Sequence, residues 1–105
     1  MKKHPPAVPH EWGLYEDLRK PGEAAGYLNA AILHGDTEAI LLALYDIAKA
    51  HNLSRIAEKI KVNRPSLYKM LNKKGNPGFR NIINLIKALG ISFQFTAPAT
   101  HRRAA

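Results

Sequence analysis

The chain has 105 residues, 46% of them apolar, no cysteine, a net charge of +8 and a pI near 10.0. That length holds one domain with one core, and the apolar fraction excludes wholesale disorder. The missing cysteines exclude a disulfide framework and a thiolate metal site, and no apolar stretch approaches the roughly 20 residues that cross a bilayer.

Residues 1–13 begin with Lys2 and Lys3 running into proline-rich sequence, not the apolar run of a signal peptide. A flexible N-terminal arm, no membrane partner and a cytoplasmic location are expected. Residues 14–97 are read as a single helical domain and residues 98–105 as a flexible tail. A first helix is signalled by Ala24, Ala25, Leu28, Ala31 and Ile32 at helical spacing, with Pro21 suited to its first turn. His34 and Gly35 stop it. Asp36 caps a second helix, which carries Ile40, Leu41, Leu44, Ile47 and Ala48 on one face and runs to about Ala50. Asn52 either ends that helix in a left-handed conformation or caps the next.

Short helices are expected over 53–60 and about 64–72, then a loop over 73–78. A last helix over 79–89 presents Phe79, Ile82, Ile83, Ile86 and Leu89 inward and stops at Gly90. Ile91, Phe93 and Phe95 then alternate with Ser92, Gln94 and Thr96, the period-2 pattern of a half-buried strand. A lone strand cannot satisfy its own backbone. It either pairs with the same strand of a second copy, giving a homodimer, or is a tail pinned to the core by its phenylalanines.

Residues 53–72 have the make-up of a helix-turn-helix. Ala57 is the small residue where two helices cross closely. Ile56, Ile60, Val62, Leu67, Met70 and Leu71 lock the pair together. The turn position that takes φ > 0, usually glycine, is Lys61, a departure of on the order of 1 kcal/mol. Asn63 can cap the second helix and Pro65 fits its first turn. Because a proline disfavours helical backbone before it, a cap at Arg64 is the alternative.

With Leu67, Met70 and Leu71 inward, Arg64, Pro65, Tyr68, Lys69 and Asn72 fall on the outer face, the one a recognition helix inserts into the major groove. Asn63, Arg64, Pro65, Tyr68 and Lys69 are the candidate base contacts. Arg64 suits guanine O6 and N7, Pro65 and Tyr68 suit thymine methyls, and Lys69 suits guanine or a phosphate. Ser54, Lys61, Lys73, Lys74, Asn76 and Arg80 are the candidate phosphate contacts. Residues 51–87 hold nine basic side chains against Glu58 alone, a net +8, while residues 1–50 net −2. Such a basic block is the footprint of a phosphate-binding surface, although a solvated basic face or an RNA or acidic-protein partner gives the same count.

Several segments together resemble a known family: Glu16-Asp-Leu18, Ala25-Gly-Tyr-Leu-Asn-Ala-Ala31 with Gly35-Asp36, Ala43-Leu-Tyr-Asp-Ile-Ala48, Asn63-Arg-Pro-Ser-Leu-Tyr-Lys69, and Gly75-Asn-Pro77 with Ala88-Leu-Gly90. They resemble the addiction-module antidote proteins, HigA-type antitoxins of the lambda-repressor-like (XRE-type) helix-turn-helix class. The chain departs from that pattern at Lys61, where the family often has Gly, at Pro65, where it has Glu, and at Leu53, where many such domains place a DNA-contacting Gln.

The resemblance implies an all-α, five-helix domain that binds an inverted-repeat operator in double-stranded DNA. It also implies a cognate RelE/ParE-like toxin encoded beside this gene, and autorepression of that operon. A stand-alone phage-type repressor without a toxin is the alternative. Because many such toxins are basic, the acidic N-terminal half offers a docking surface at Glu16, Asp17, Glu23 and Tyr27. The first helix otherwise only completes the core through Ala24, Leu28 and Ile32.

Enzymatic readings find no support. His4, His10, His34, His51 and His101 form no metal-binding pair, and no phosphate-binding glycine loop or nucleophile motif is present. No cofactor is expected.

Overall fold

The computed structural model describes residues 17–72 and 74–99. They form five helices: α1 (Pro21–His34), α2 (Thr37–Ala50), α3 (Leu53–Lys59), α4 (Arg64–Leu71) and α5 (Phe79–Ala88). None of the described residues is in a strand, and no described helix is long and apolar enough to cross a membrane. The fold is all-α. The expected arm over 1–13, Glu16, Lys73 and the tail beyond Ala99 lie outside the described residues.

Each boundary has a local cause. Gly35, at φ +85°, turns α1 off in the left-handed region, and its N–H returns to the carbonyls of Ala31 and Ile32. The Asp36 carboxylate then accepts the Glu38 N–H at 3.0 Å and starts α2. Asn52 performs both of the roles open to it. Its φ of +85° closes α2, and its side-chain oxygen accepts the Arg55 N–H at 3.2 Å to open α3.

Lys61 does adopt φ +63°, and the turn closes around it as a Schellman motif. The Val62 N–H reaches the Ala57 carbonyl at 3.0 Å and the Lys61 N–H reaches that of Glu58 at 3.1 Å. Asn63 is the cap of α4, accepting the Ser66 N–H at 2.8 Å, with Arg64 already helical. The alternative cap at Arg64 is therefore corrected: this hydrogen bond offsets the bias that Pro65 imposes on its neighbour. Gly90, at φ +79°, ends α5 with a second closure of this kind, Ile91 N–H to Ile86 carbonyl at 3.2 Å.

The core gathers one stripe from every helix. Leu44, Ile47, Ile56, Leu67, Leu85 and Leu89 are its largest fully buried side chains, and Leu18, ahead of α1, joins them. α1 packs along α2, α3 against α4 and α5, and α4 against both α2 and α3. Ala57 is buried at the α3–α4 crossing, as the close approach requires. Leu53 is buried as well and belongs to the core.

Two expectations need correction. Phe79 does not face inward; it is 73% exposed, because it opens α5 at the rim of a hollow lined by α1, α2 and α5. Ile86 and Leu89 are buried as expected, and Leu85, which the apolar stripe did not single out, is fully buried beside them. Beyond α5, Ile91 is buried, but Phe93 and Phe95 are exposed and meet edge to face at 6.0 Å. They do not pin the segment to the core. Residues 91–95 instead line the same hollow as Ile32 and Phe79.

Candidate nucleic-acid interface

The outer face of α4 is where the site begins. Arg64, Pro65, Tyr68, Lys69 and Asn72 are all exposed, while Leu67 and Leu71 on the opposite side are buried. Arg64 is held, not free. One terminal nitrogen donates to the Ser54 hydroxyl at 3.3 Å and the other to the Tyr68 hydroxyl at 3.2 Å. The guanidinium carbon lies 5.5 Å from the centroid of the Tyr68 ring. The arginine thus ties the start of α3 to the middle of α4. Of its five N–H donors, three remain for a ligand. Ser54 accepts from Arg64 through its oxygen and keeps its own hydrogen for another acceptor.

The Arg64 cation holds the Tyr68 phenol below its ordinary value of 10.0, chiefly through their hydrogen bond. Burial opposes this, and Tyr45 and Lys49 add to the lowering. Those last two residues are ones that sequence reasoning missed. Tyr45, on α2, lies 6.0 Å from Tyr68 between ring centroids, tilted by 44°, and the Lys49 ammonium stands 5.8 Å from the Tyr45 centroid. Lys49 was counted with the acidic half of the chain, yet it belongs to the surface around Tyr68. The available signal was their spacing of four on α2, off its buried stripe.

The loop after α4 is tied to that helix. The Asn72 side chain accepts the Lys74 N–H at 2.8 Å and its carbonyl accepts the Gly75 N–H at 2.6 Å. A Cβ on Gly75 would collide with the carbonyl of Met70 and stand 2.7 Å from that of Lys69, so the loop can lie this close only with glycine there. Lys74, Asn76 and Arg80 project from this segment, exposed. Lys61 is grouped differently: it shares a hollow between α3 and α5 with Lys59 and Lys87, and Lys59 reaches the Ala88 carbonyl at 3.5 Å. On the other flank, an open hollow of about 650 Å³ beside Tyr68 and Asn72 is bordered by Asp36 and Glu38. The acidic pair there disfavours phosphate.

Of the residues offered for a toxin, Asp17 and Glu23 are exposed, whereas Tyr27 is half-buried and donates to the Asp46 carboxylate at 2.6 Å, an internal tie between α1 and α2. Glu16 and Lys73 lie outside the described residues.

Comparison with known proteins agrees with the family resemblance at its coarser level. No solved structure matches. A Haemophilus influenzae protein described as "Uncharacterized protein" is 39% identical over 84 residues, covering 80% of this chain and 87% of that relative. The family model described as "Probable addiction module antidote protein" matches residues 10–97. An antidote is defined by the toxin it counters, so the family implies a toxin partner and a regulatory, non-enzymatic role. With most of its length covered by that match, the chain belongs to the addiction module antidote family.

Proposed function

We propose that this chain is the DNA-binding antitoxin of a type II toxin–antitoxin module, neutralising a RelE/ParE-like toxin and repressing its own operon. The observation that carries the DNA reading is Arg64, held on the exposed face of α4 by Ser54 and Tyr68 with donors to spare. A guanidinium fixed in this way suits bidentate recognition of guanine O6 and N7 in the major groove. Asn63, Pro65, Tyr68 and Lys69 complete the base-reading face. Ser54, Lys61, Lys73, Lys74, Asn76 and Arg80 meet the flanking phosphates, for which the net +8 over residues 51–87 is the electrostatic support.

An inverted-repeat operator calls for a homodimer. The hollow between α1 and α5 supports one: Ile32, Phe79, Phe93 and Phe95 are exposed around it, and among the described residues no charged one lines it. An uncharged face is where two copies of a strongly basic chain can meet without repulsion. There the alternating segment over 91–96 finds a backbone partner. The toxin, expected to be basic, suits the acidic side of α1 at Asp17 and Glu23, with Glu16 preceding them and Tyr27 contributing through its ring edge.

Footprinting on the promoter of the chain's own operon, with co-purification of the adjacent gene product, tests this. Protection of an inverted repeat whose half-sites lie roughly 34 Å apart, and a stable complex with a small basic protein, are expected. Protection without any toxin-like neighbour leaves the stand-alone repressor. No sequence-specific protection removes the DNA reading.

A further inference from the structure

Arg64 has four carbon–carbon or carbon–nitrogen torsions to fix before it can read a base, and a loose arginine loses much of its contact energy to that ordering. In this chain the ordering is done in advance by two hydroxyls, those of Ser54 and Tyr68. Ser54 is fixed by its place at the start of α3. Tyr68 is not so constrained: it lies on the outer face of α4, 40% exposed, with solvent on one side. What stands on the other side is the Tyr45 ring, 6.0 Å away, from a helix that is not part of the helix-turn-helix. Tyr45 is half-buried, with Ala43, Leu44 and Ile47 of its own helix in the core, so its backbone is fixed by the fold.

We infer that Tyr45 is a specificity-determining positioning residue, which holds the Tyr68 ring and through it the Arg64 guanidinium in the geometry that reads a base pair. It touches no base itself. The inference rests on the DNA-binding reading and deepens it, placing part of the specificity on α2. Were Tyr45 only a packing residue, its loss would weaken binding to all sequences alike. As a positioning residue, its loss flattens the preference at the base pair that Arg64 reads and leaves non-specific binding in place.

The test uses the full chain and a duplex selected by the wild-type protein from a randomised library, with its single-base-pair variants and an unrelated duplex of equal length. Tyr45→Leu is expected to lose about five- to tenfold of discrimination at the base pair that Arg64→Ala also relaxes, with affinity for the unrelated duplex within about twofold of wild type. Tyr45→Phe, which keeps the ring, retains the discrimination. In an Arg64→Ala background Tyr45→Leu adds less than about twofold, since both act through one group. Unchanged discrimination in a folded Tyr45→Leu, or losses that multiply with those of Arg64→Ala, overturns the inference. Should Tyr45→Leu fail to fold by circular dichroism, the same measurement on Tyr45→Met decides: a flattened preference at the base pair that Arg64 reads supports the inference, and an unchanged one overturns it. A library from which the wild type selects nothing fails the DNA reading itself, an outcome distinct from failure of Tyr45 alone.

Discussion

The Tyr27 hydroxyl donates to the Asp46 carboxylate across 2.6 Å, joining two consecutive helices through residues nineteen positions apart in sequence. Asp46 is one residue from Tyr45, so this bond holds α1 to the helix that backs the recognition face. Tyr27→Phe keeps the ring and removes the donor. A half-buried, charge-assisted hydrogen bond of this kind contributes about 1–2 kcal/mol, and urea denaturation is expected to show a loss in that range. Operator affinity measured well below the unfolding transition should stay within about twofold of wild type.

Lys61→Gly is expected to stabilise the protein. The lysine adopts φ +63°, a conformation with a Cβ penalty of on the order of 1 kcal/mol, partly offset in the variant by the looser unfolded chain of glycine. A rise of about 0.5 kcal/mol in chemical denaturation is the expected net. If Lys61 also meets a phosphate, the salt dependence of DNA binding becomes shallower by about one unit in the same variant.

Arg64→Ala and Arg80→Ala should separate in kind. The first is expected to cost about 1–3 kcal/mol on the selected duplex and to relax preference at one base pair. The second weakens binding across all sequences and lowers the salt slope by about one. Binding titrations at several salt concentrations, on specific and unrelated duplexes, distinguish the two patterns.

His51 gives the fold a pH dependence. Its imidazole is held below the ordinary value of 6.5 by burial first, then by Lys59 and Arg19, with a hydrogen bond to the Leu18 backbone opposing them. The unfolded chain therefore binds a proton more readily than the folded one. Stability is full above 6.5 and falls as the pH drops through the interval between the unfolded and folded values. Thermal unfolding from pH 7.5 down to 5 should show this decline, and His51→Gln should make it shallower.

Much of the fold was legible because its helix ends are written in single residues. Asp36, Asn52 and Asn63 are caps and Gly35 and Gly90 are stops, each with a local reason independent of the rest of the chain. The interior of the α3–α4 pair was legible for a related reason: Ile56, Ala57, Leu67 and Leu71 recur at helical spacing with few competing apolar residues. On α5 that clarity fails. Ile82, Ile83, Leu85 and Ile86 crowd the stripe, and only tertiary packing, including that of α3, selects Leu85 and leaves Phe79 at the rim. The outer face of α4 could be named from periodicity, but the hold on Arg64 could not. It joins α3 to α4 and rests on α2, and such contacts arise from how helices cross, which no local pattern encodes. The segment over 91–96 is a further case: its alternation describes what it is suited to pair with, and among the described residues no strand is present to pair with it.

The collision that excludes a side chain at Gly75 has a consequence for how binding preference can change. Because the loop is seated directly on the carbonyls that end α4, the two share one arrangement, and under the proposed function the grip on the DNA backbone and the reading helix would move together. A substitution at Pro65 or Lys69 can then alter the letters that are read without re-aiming the grip. On the proposed function, such an arrangement would let operator preference diverge while the hold on the duplex is kept.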